Sequence, residues 1–327
     1  MKVGYFTDPH VRYDTPEGRV DNYNVAIREK LVEVGTIFND NGVDVILTGG
    51  DLFDSPDVPN SVIYTMMGIL QKYNAPIIGT IGSHDYFGYQ MKSFNRTAMG
   101  IMHKAGIIQV LVGKSEYDLP NHTVITEPSG FKLGIVATHH TYWLSQDPNN
   151  YHRERLPEVH LQIQLTHGDL QDKSVPWDHV LIDDITTESD IVMGAHYHPG
   201  WGTVSRSING REVRFINPGA IARLENTGVR RIPKVVIIDI DEATSQYTAT
   251  NFELQSASPH PFKDRGKLAE ESPMQDIQKL MSLIENTNIT TIDIKSQLPK
   301  IAKELELSDA VLDIAFECLN EVEKKEK

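Results

Sequence analysis

Five clusters of polar residues interrupt the first two hundred residues, and each one directly follows a short apolar run. In chain order they are Asp8-Pro9-His10, Gly49-Gly50-Asp51, Gly82-Ser83-His84-Asp85, Thr166-His167-Gly168 and Gly194-Ala195-His196-Tyr197-His198. The apolar runs have the length of buried strands. Because the carboxyl ends of the strands form the ligand-binding edge of an open α/β sheet, we expect the five clusters to meet in space. The sequence therefore predicts one site, assembled from segments that are far apart in the chain.

The beginning of the chain alternates between strand and helix patterns. Residues 2–6, 43–48 and 76–81 predict buried strands, and helical periodicity separates them. The two apolar helix faces consist of Ile27, Leu31, Val34 and Phe38, and of Val62, Met66, Ile69 and Tyr73. Asn41-Gly42 predicts the end of the first helix, and Ser61 is the expected N-cap of the second. This βαβαβ order favours a mainly parallel sheet covered by helices.

The later part of the chain is richer in strand patterns. Strands are expected at 131–137, 161–165, 191–193, 203–208, 211–216, 234–240 and 246–254. Asn209-Gly210 predicts a tight hairpin, since both residue types tolerate positive φ. Residues 161–165 alternate between apolar and polar side chains, which predicts that one face of this strand is in contact with water.

Three segments follow from these patterns. Residues 1–254 form the predicted main domain. Residues 255–272 lose periodicity and gather Ser, Pro and Lys, which is typical of a linker. Residues 273–327 return to helical periodicity, with apolar faces at 277–284 and 312–319. We expect a small C-terminal helical region.

The chain is strongly acidic, with a formal net charge of −14. This charge argues against binding nucleic acid through a general positive surface, but it does not exclude a nucleic-acid substrate held by metal ions. Residues 205–234 are locally basic, and the candidate phosphate-contacting residues there are Arg206, Arg211, Arg214 and Arg223. A solvated hairpin surface is an equally good interpretation of this segment.

A single cysteine, Cys318, excludes an internal disulfide framework and suits a reducing compartment. The charged start of the chain lacks the apolar core of a signal peptide, and no apolar run reaches the length of a membrane helix. We therefore expect a cytoplasmic protein without a membrane partner.

The side chains of the five clusters are mainly carboxylates and imidazoles. These ligand types suit Mn²⁺, Fe or Zn²⁺ better than Ca²⁺ or a thiolate cluster. About seven ligands exceed the need of one ion and fit two ions, which lie about 3.5–4 Å apart in such sites. A pair of ions lowers the pKa of bound water and holds a phosphate during in-line attack. His139 and His140 end a strand and are expected to line the cleft without binding metal.

As an ordered set, the five clusters resemble the signature of calcineurin-like metallophosphoesterases over residues 1–220. The resemblance implies an α/β fold, a sandwich of two mixed β-sheets flanked by helices. It implies that one metal ion is held by Asp8, His10 and His198. It implies that the second ion is held by His167 and His196, and that Asp51 bridges the two ions.

The third cluster carries the proton donor that the resemblance implies. His84 is similar to the family's non-ligand histidine, which contacts the phosphate and protonates the leaving oxygen, and Asp85 would orient it. Ser83 stands where the family has an asparagine that binds the second ion, so the resemblance implies Ser83 as a further metal-site residue, although a hydroxyl is the poorer neutral ligand and would bind that ion more weakly or through water. Ala195 stands where the family has a glycine, which is a milder departure.

Within this superfamily, the sequence is most similar to the SbcD-type nuclease subunit of double-strand-break processing complexes. The similarity lies in residues 19–23, 50–54 and 217–223. It implies endonuclease and 3′-to-5′ exonuclease activity on DNA in repair or recombination, usually with Mn²⁺, while Fe, Zn²⁺ or Mg²⁺ are the alternatives. It also implies a homodimer and an SbcC-type coiled-coil ATPase that docks on the C-terminal helices. Packing of those helices on their own catalytic domain is the competing interpretation.

Two other functions are compatible with the same motifs. A phosphoesterase that acts on a cyclic nucleotide, a nucleotide or a phosphoprotein would use the same ions with different cleft walls. A weakly active metal-binding scaffold subunit would be consistent with Ser83. Comparing linear DNA with small phosphodiesters tests the first alternative, and metal analysis beside Mn²⁺-dependent cleavage tests the second.

Overall fold

Strands dominate the structure, a computed structural model that describes residues 1–112, 122–224, 231–257, 261, 262 and 299. All of these except residue 299 belong to one unit, Met1–Phe262. Within the described residues the strands are β1 (Lys2–Phe6), β2 (Val45–Thr48), β3 (Ile77–Gly79), β4 (Gln109–Val110), β5 (His122–Thr126), β6 (Lys132–Thr138), β7 (Leu161–His167), β8 (Leu170–Gln171), β9 (Val180–Leu181), β10 (Ile191–Ala195), β11 (Gly202–Ile208), β12 (Arg211–Asn217), β13 (Lys234–Ile240) and β14 (Tyr247–Glu253).

The strands form two six-stranded sheets, and a short pair of strands, β8 and β9, lies beside them. The first sheet has the order β14-β13-β1-β2-β3-β4, in which β1 to β4 are parallel and β13 and β14 are antiparallel to their neighbours. The second has the order β11-β12-β10-β7-β6-β5, with four parallel central strands and an antiparallel strand at each edge. The predicted architecture of two mixed sheets flanked by helices is confirmed.

The helices in the described residues are α1 (Tyr23–Asp40), α2 (Asn60–Leu70) and α3 (Ala98–Lys104), with 3₁₀ turns at Met91–Arg96, Leu144–Gln146, Pro148–Tyr151 and Ile182–Asp184. The end predicted for the first helix is confirmed, since Asn41 is the C-cap of α1. The N-cap predicted for the second helix is wrong. Pro59 occupies that position without a side-chain cap, and Ser61 lies inside α2, because the Pro59 carbonyl already accepts the N–H of Val62.

The core of the described residues consists of three buried clusters, two on the faces of the first sheet and a third that includes Val192, Val213 and Phe215 of the second sheet. Between the sheets, side chains such as Tyr5, Leu47, Ile135, Ile163 and Met193 pack into one buried cluster. On the other face, α1 and α2 bury their apolar sides against the first sheet. The sheets are thereby held face to face, and their carboxyl ends lie at the same edge.

Strand β7 differs from the prediction of one wet face, because all seven of its residues are buried. Gln162 and Gln164 are fully buried, but their side chains are hydrogen-bonded. The Gln162 amide donates to Ser189 Oγ at 2.9 Å, and the Gln164 amide donates to the Tyr151 carbonyl at 2.7 Å. Alternation of apolar and polar residues therefore marks here a buried hydrogen-bond network, which costs little because each polar group has a partner.

The predicted helices of 273–327 and most of the predicted linker 255–272 lie outside the described residues. In the residues that the structure does describe, no helix is both long enough and apolar enough to span a membrane.

His139 connects the two sheets through buried hydrogen bonds. It follows β6, and its Nδ1 accepts the N–H of Ile81, which follows β3, at 3.0 Å. Its Nε2 donates to the carbonyl of Leu111, which follows β4, at 2.7 Å. Burial lowers the pKa of His139 to about 4. A proton on Nδ1 would also remove the acceptor for the Ile81 N–H.

This buried histidine makes stability depend on pH. An unfolded chain binds a proton on His139 below the usual pKa of 6.5 and the folded chain does not, so the stability falls as pH falls from 6.5 toward 4. We expect this residue alone to cost about 2 kcal/mol between about pH 7 and about pH 5. Urea unfolding in EDTA should therefore show a smaller loss on acidification for His139→Asn than for the wild type.

The exposed residue His122 on β5 supplies the control variant, His122→Asn, which leaves the buried hydrogen bonds of His139 unchanged. An equal loss of stability in His139→Asn and the wild type would show that His139 is not the titrating group.

Candidate metal centre

Four of the predicted metal ligands have an unusual backbone conformation at the ends of their strands. Their φ angles are positive, at 50° for Asp8, 45° for His10, 48° for Asp51 and 71° for His196. Such a conformation costs about 1–3 kcal/mol for each residue other than glycine. Hydrogen bonds between the loops after β1 and β2 hold it, because the His10 N–H donates to the Asp51 carbonyl at 3.0 Å. The backbone is thus strained where it aims side chains into one space.

The first cluster consists of Asp8, His10 and His198. Asp8 Oδ1 lies 4.0 Å from His10 Nε2 and 3.9 Å from His198 Nε2, and the two Nε2 atoms are 2.9 Å apart. Asp8 and His10 are buried, whereas the side chain of His198 is 35% exposed. The cluster therefore opens to solvent on the side of His198.

The second cluster consists of Asp51, His167 and His196. Asp51 Oδ2 lies 3.2 Å from His167 Nε2, which in turn lies 3.2 Å from His196 Nδ1. The same Oδ2 atom lies 3.6 Å from His10 Nε2 of the first cluster. Asp51 thus faces both clusters, as a carboxylate shared by two ions must.

The chemistry of this donor set fits divalent cations. Two carboxylates that are 1% exposed carry buried negative charge, and the imidazole nitrogens around them point toward one another at 2.9 and 3.2 Å. Converging lone pairs and buried anions are both costly unless a cation lies among them. Carboxylate and imidazole ligands without a thiolate favour ions of the Mn²⁺, Fe or Zn²⁺ type.

The pKa values of the centre reflect the pairing of Asp51 with His167 and the burial of the ligands. Burial acts to lower the pKa of His167, but the charge of Asp51 and the contact with it raise that pKa to about 10. The imidazole charge of His167 in turn holds the pKa of Asp51 far below its usual range, against the effect of burial. Burial lowers the pKa of His198 to about 4. A cation takes the place of the proton on His167, so acid competes with metal binding.

Main-chain groups orient the ligands. His167 Nδ1 donates to the Gly49 carbonyl at 2.7 Å, which leaves Nε2 as the nitrogen that can bind metal.

Glycine is required at two of the strand ends. A Cβ on Gly49 would lie 2.6 Å from the Cβ of Ala195, and one on Gly82 would lie 2.2 Å from Asp51 Oδ1.

Ser83 lies beside the shared carboxylate, since its Oγ donates to Asp51 Oδ2 at 3.1 Å. The next residue, His84, donates its main-chain N–H to the other oxygen of Asp51 at 2.7 Å. The hydroxyl of Ser83 is therefore placed at the bridge between the clusters, where it holds the orientation of Asp51.

The structure corrects the expected role of Asp85. Its Oδ2 accepts the main-chain N–H groups of Asp51 at 2.9 Å and Gly82 at 2.8 Å. The ring of His84 is held instead through Nδ1, which donates to the main-chain carbonyl of Asp54 at 2.6 Å. Burial and the nearby charge of Asp51 raise the pKa of Asp85 to about 7. Asp85 therefore shapes the loops around Asp51, and Asp54 orients His84.

Three of the four candidate phosphate-contacting arginines lie far from the centre, on the β11–β12 hairpin. Arg206 pairs with Asp183, Arg211 pairs with Asp190 at 3.0 Å, and Arg214 lies 4.9 Å from the ring of Tyr247. Arg214 is level with Ile191 at the start of β10, whereas the metal ligands follow the end of β10, roughly 15 Å along the strand. A charge count along the sequence cannot show at which end of a hairpin the arginines lie.

Arg223 is the exception among these arginines. It is buried, and its neighbour Ala222 donates a main-chain N–H to the Asp8 carbonyl at 3.2 Å. Arg19 also contacts this segment, because its Nη1 donates to the Arg223 carbonyl at 2.5 Å. Arg223 therefore lies next to the centre, in the wall behind Asp8.

Three residues at the centre were not among the predicted site residues. Asp54 Oδ1 lies 3.4 Å from His10 Nδ1, and Asp169 Oδ2 lies 3.3 Å from His196 Nε2. The ring of His140 lies 5.5 Å from that of His196. The position of the two carboxylates in the sequence could have identified them, since Asp54 follows the second cluster and Asp169 follows the fourth. His140 was expected in the wall of the cleft, and its contact with His196 agrees with that expectation.

The model of the calcineurin-like phosphoesterase family matches residues 1–200. Among solved structures, one described as a novel archaeal phosphodiesterase is 17% identical with a TM-score of 0.35, over 77% of this chain and 100% of that chain. A second, the protein TT1561 of Thermus thermophilus, is 11% identical with a TM-score of 0.41, over 76% of this chain and 98% of that chain. A search of the curated proteins found no match. The family match covers more than half of the chain and contains all five polar clusters, so the chain belongs to the calcineurin-like phosphoesterase family.

Proposed function

We propose that this protein is a two-metal phosphodiesterase that cleaves DNA, as an endonuclease and exonuclease of the SbcD type. The observation that carries the proposal is the position of Asp51, which belongs to two of the three groups of metal-ligand type, one of them with His84, and lies 3.6 Å from His10 of the first cluster. Two divalent ions held there, with Mn²⁺ as the expected metal, supply Lewis acidity and a water of lowered pKa. The residues that would hold them are Asp8, His10, Asp51, His167, His196 and His198.

His84 is the proposed acid for the leaving oxygen. Its main-chain N–H is fixed by Asp51, and its ring lies edge-on to that of His10, with 4.8 Å between the ring centroids. Because Nδ1 keeps its proton in the hydrogen bond to the Asp54 carbonyl, Nε2 is the atom that can give a proton away. The imidazolium form of His84 would hold a phosphate oxygen and protonate the departing 3′ oxygen.

A basic cleft next to the centre supports a nucleic-acid substrate. A cavity of about 390 Å³ beside the loop of His198 has three cationic residues and one carboxylate, Asp172, in its wall; we call the cations Lys173, Arg231 and Lys234 the basic cleft. Cations beside a phosphodiester site contribute affinity for the backbone of a nucleic acid without sequence preference. In this proposal the basic cleft takes the role that the sequence assigned to Arg206, Arg211 and Arg214.

The segments that resemble SbcD-type subunits are joined to the centre, which supports the finer assignment. Residues 217–223 contact the Asp8 loop through Ala222, and residues 19–23 contact them through Arg19. Residues 50–54 contain the shared carboxylate and Asp54. On the same resemblance we propose a cytoplasmic homodimer that binds an SbcC-type coiled-coil ATPase through the C-terminal region.

An activity panel tests the substrate class. The full chain, loaded in turn with Mn²⁺, Fe, Zn²⁺ and Mg²⁺, is given linear DNA, circular DNA, a cyclic nucleotide, a small phosphodiester and a phosphopeptide. We expect Mn²⁺-dependent cleavage of DNA at rates above those of the small substrates. Preference for a cyclic nucleotide or a phosphopeptide would replace the nuclease assignment, and bound metal without any hydrolysis would indicate a scaffold subunit.

His84→Ala tests the proton donor. We expect turnover of DNA to fall by roughly a hundredfold to ten-thousandfold, the usual contribution of general acid catalysis, with two ions still bound. Metal content by plasma mass spectrometry and cleavage rates are measured on the same samples, and His122→Ala on β5 serves as the exposed control. Cleavage by His84→Ala at the wild-type rate would show that another group protonates the leaving oxygen.

Asp51→Asn tests the shared ligand. Loss of one charge between the clusters should weaken the binding of both ions together, each by more than roughly tenfold. Titration calorimetry with Mn²⁺ measures both affinities, and Asp239→Asn changes an exposed carboxylate on β13 as the control. If Asp51→Asn binds two ions with the wild-type affinities, or loses only one of them, Asp51 is not a bridge.

A further inference from the structure

Three exposed aromatic side chains form a continuous surface beside the centre. Tyr89, Tyr142 and Trp143, which we call the aromatic platform, are 58%, 55% and 65% exposed. The ring centroids of Tyr89 and Tyr142 are 5.7 Å apart, and those of Tyr142 and Trp143 are 4.7 Å apart. Single exposed aromatic residues need no explanation, but three that are joined through the central ring of Tyr142 leave an apolar surface that favours a ligand.

The platform is continuous with the second metal cluster. The ring of Tyr89 lies 5.6 Å from that of His140, and His140 lies 5.5 Å from the ring of His196 and 5.9 Å from that of His167. One histidine ring therefore separates the exposed aromatic surface from two of the metal-ligand candidates. A molecule with its phosphate at the centre can reach the platform without leaving the protein surface.

The platform is built from two loops that are fixed to each other. The Tyr86 hydroxyl, on the loop after β3, donates to the carbonyl of His140, on the loop after β6, at 2.8 Å. Tyr89 has a φ of 56°, a conformation that only a few per cent of residues other than glycine adopt. The geometry of the rings is thus set before a ligand arrives, which lowers the entropy cost of binding.

We propose that the aromatic platform stacks an unpaired base of a nucleic-acid strand whose phosphodiester lies at the metal centre. This inference rests on the proposed phosphodiesterase function. Every base has a π face, so stacking on tyrosine and tryptophan rings holds a strand without reading its sequence. The bases of a duplex already cover each other's faces, so the platform selects single-stranded or frayed DNA ends over closed duplex.

The test measures binding without turnover. The full chain in EDTA is titrated against a short fluorescent oligothymidylate, and the anisotropy gives the Kd. We expect Tyr142→Ala/Trp143→Ala and Tyr89→Ala to raise this Kd by roughly fivefold to hundredfold, the usual effect of losing one stacked base. Tyr142→Phe, which keeps the ring, should bind as the wild type does. Tyr64→Ala removes a tyrosine that is 80% exposed on α2, and it should have no effect.

An oligonucleotide with abasic positions separates stacking from other effects. The wild type should bind it as weakly as the platform variants bind oligothymidylate, and the variants should bind both oligonucleotides alike. Closed duplex of the same length should bind the wild type and the variants equally. Unchanged Kd values in the platform variants would overturn the proposal, as would an equal loss of affinity for the abasic strand.

Thymidine monophosphate distinguishes a strand from a small ligand. If the platform variants lose affinity for it as much as for the strand, the platform holds a mononucleotide and the proposal is wrong. The binding readout is independent of the proposed function. If the protein binds strands in a base-dependent way but cleaves DNA with none of the metals, the nuclease proposal is wrong and the platform proposal stands. If it cleaves DNA but its binding does not depend on the bases, the platform proposal is wrong and the nuclease proposal stands.

Discussion

The burial of two negative charges, on Asp8 and Asp51, is the constraint on which the centre depends. Both carboxylates are about 1% exposed, and in the described residues neither forms an ion pair with a lysine or an arginine. A buried charge without a compensating partner costs several kcal/mol. Hydroxyl and main-chain donors solvate these carboxylates in part, and the surrounding imidazoles compensate the charge either by protonation or by sharing a divalent cation. Metal binding and fold stability are therefore linked. A bound cation compensates the buried negative charge, which in the metal-free centre is compensated only by protons on the imidazoles.

The fold meets this constraint by bringing the strand ends of two sheets to one edge. The first sheet contributes Asp8 and Asp51, and the second contributes His167 and His196. Hydrogen bonds cross between the sheets at this edge, from the Tyr5 hydroxyl to the Gly194 carbonyl at 2.8 Å and from His167 Nδ1 to the Gly49 carbonyl at 2.7 Å. The strained backbone at the ligands is held by these contacts and by the packing between the sheets, so the ligand geometry is a property of the whole sandwich.

The sequence predicted the features that depend on local periodicity and failed where the outcome depends on a distant partner. Strand patterns located the five clusters, because each strand end is a local signal. The alternation in β7 predicted water on one face, since a sequence does not reveal that Ser189 and Tyr151 supply partners for Gln162 and Gln164. The orientation of His84 by a main-chain carbonyl has no side-chain signature at all. The sequence therefore favours the neighbouring carboxylate, Asp85, although its Oδ2 accepts the main-chain N–H groups of Asp51 and Gly82 instead.

The walls of the centre, rather than its ligands, distinguish one substrate of this chemistry from another. The aromatic platform adjoins the second cluster through His140, and the basic cleft adjoins the first through the loop of His198. A strand that lies across both clusters under these proposals has its scissile phosphate at Asp51, a base on the rings and backbone phosphates at the cations. The pairing of rings at one cluster with cations at the other is thus the physical reason to favour a nucleic-acid strand.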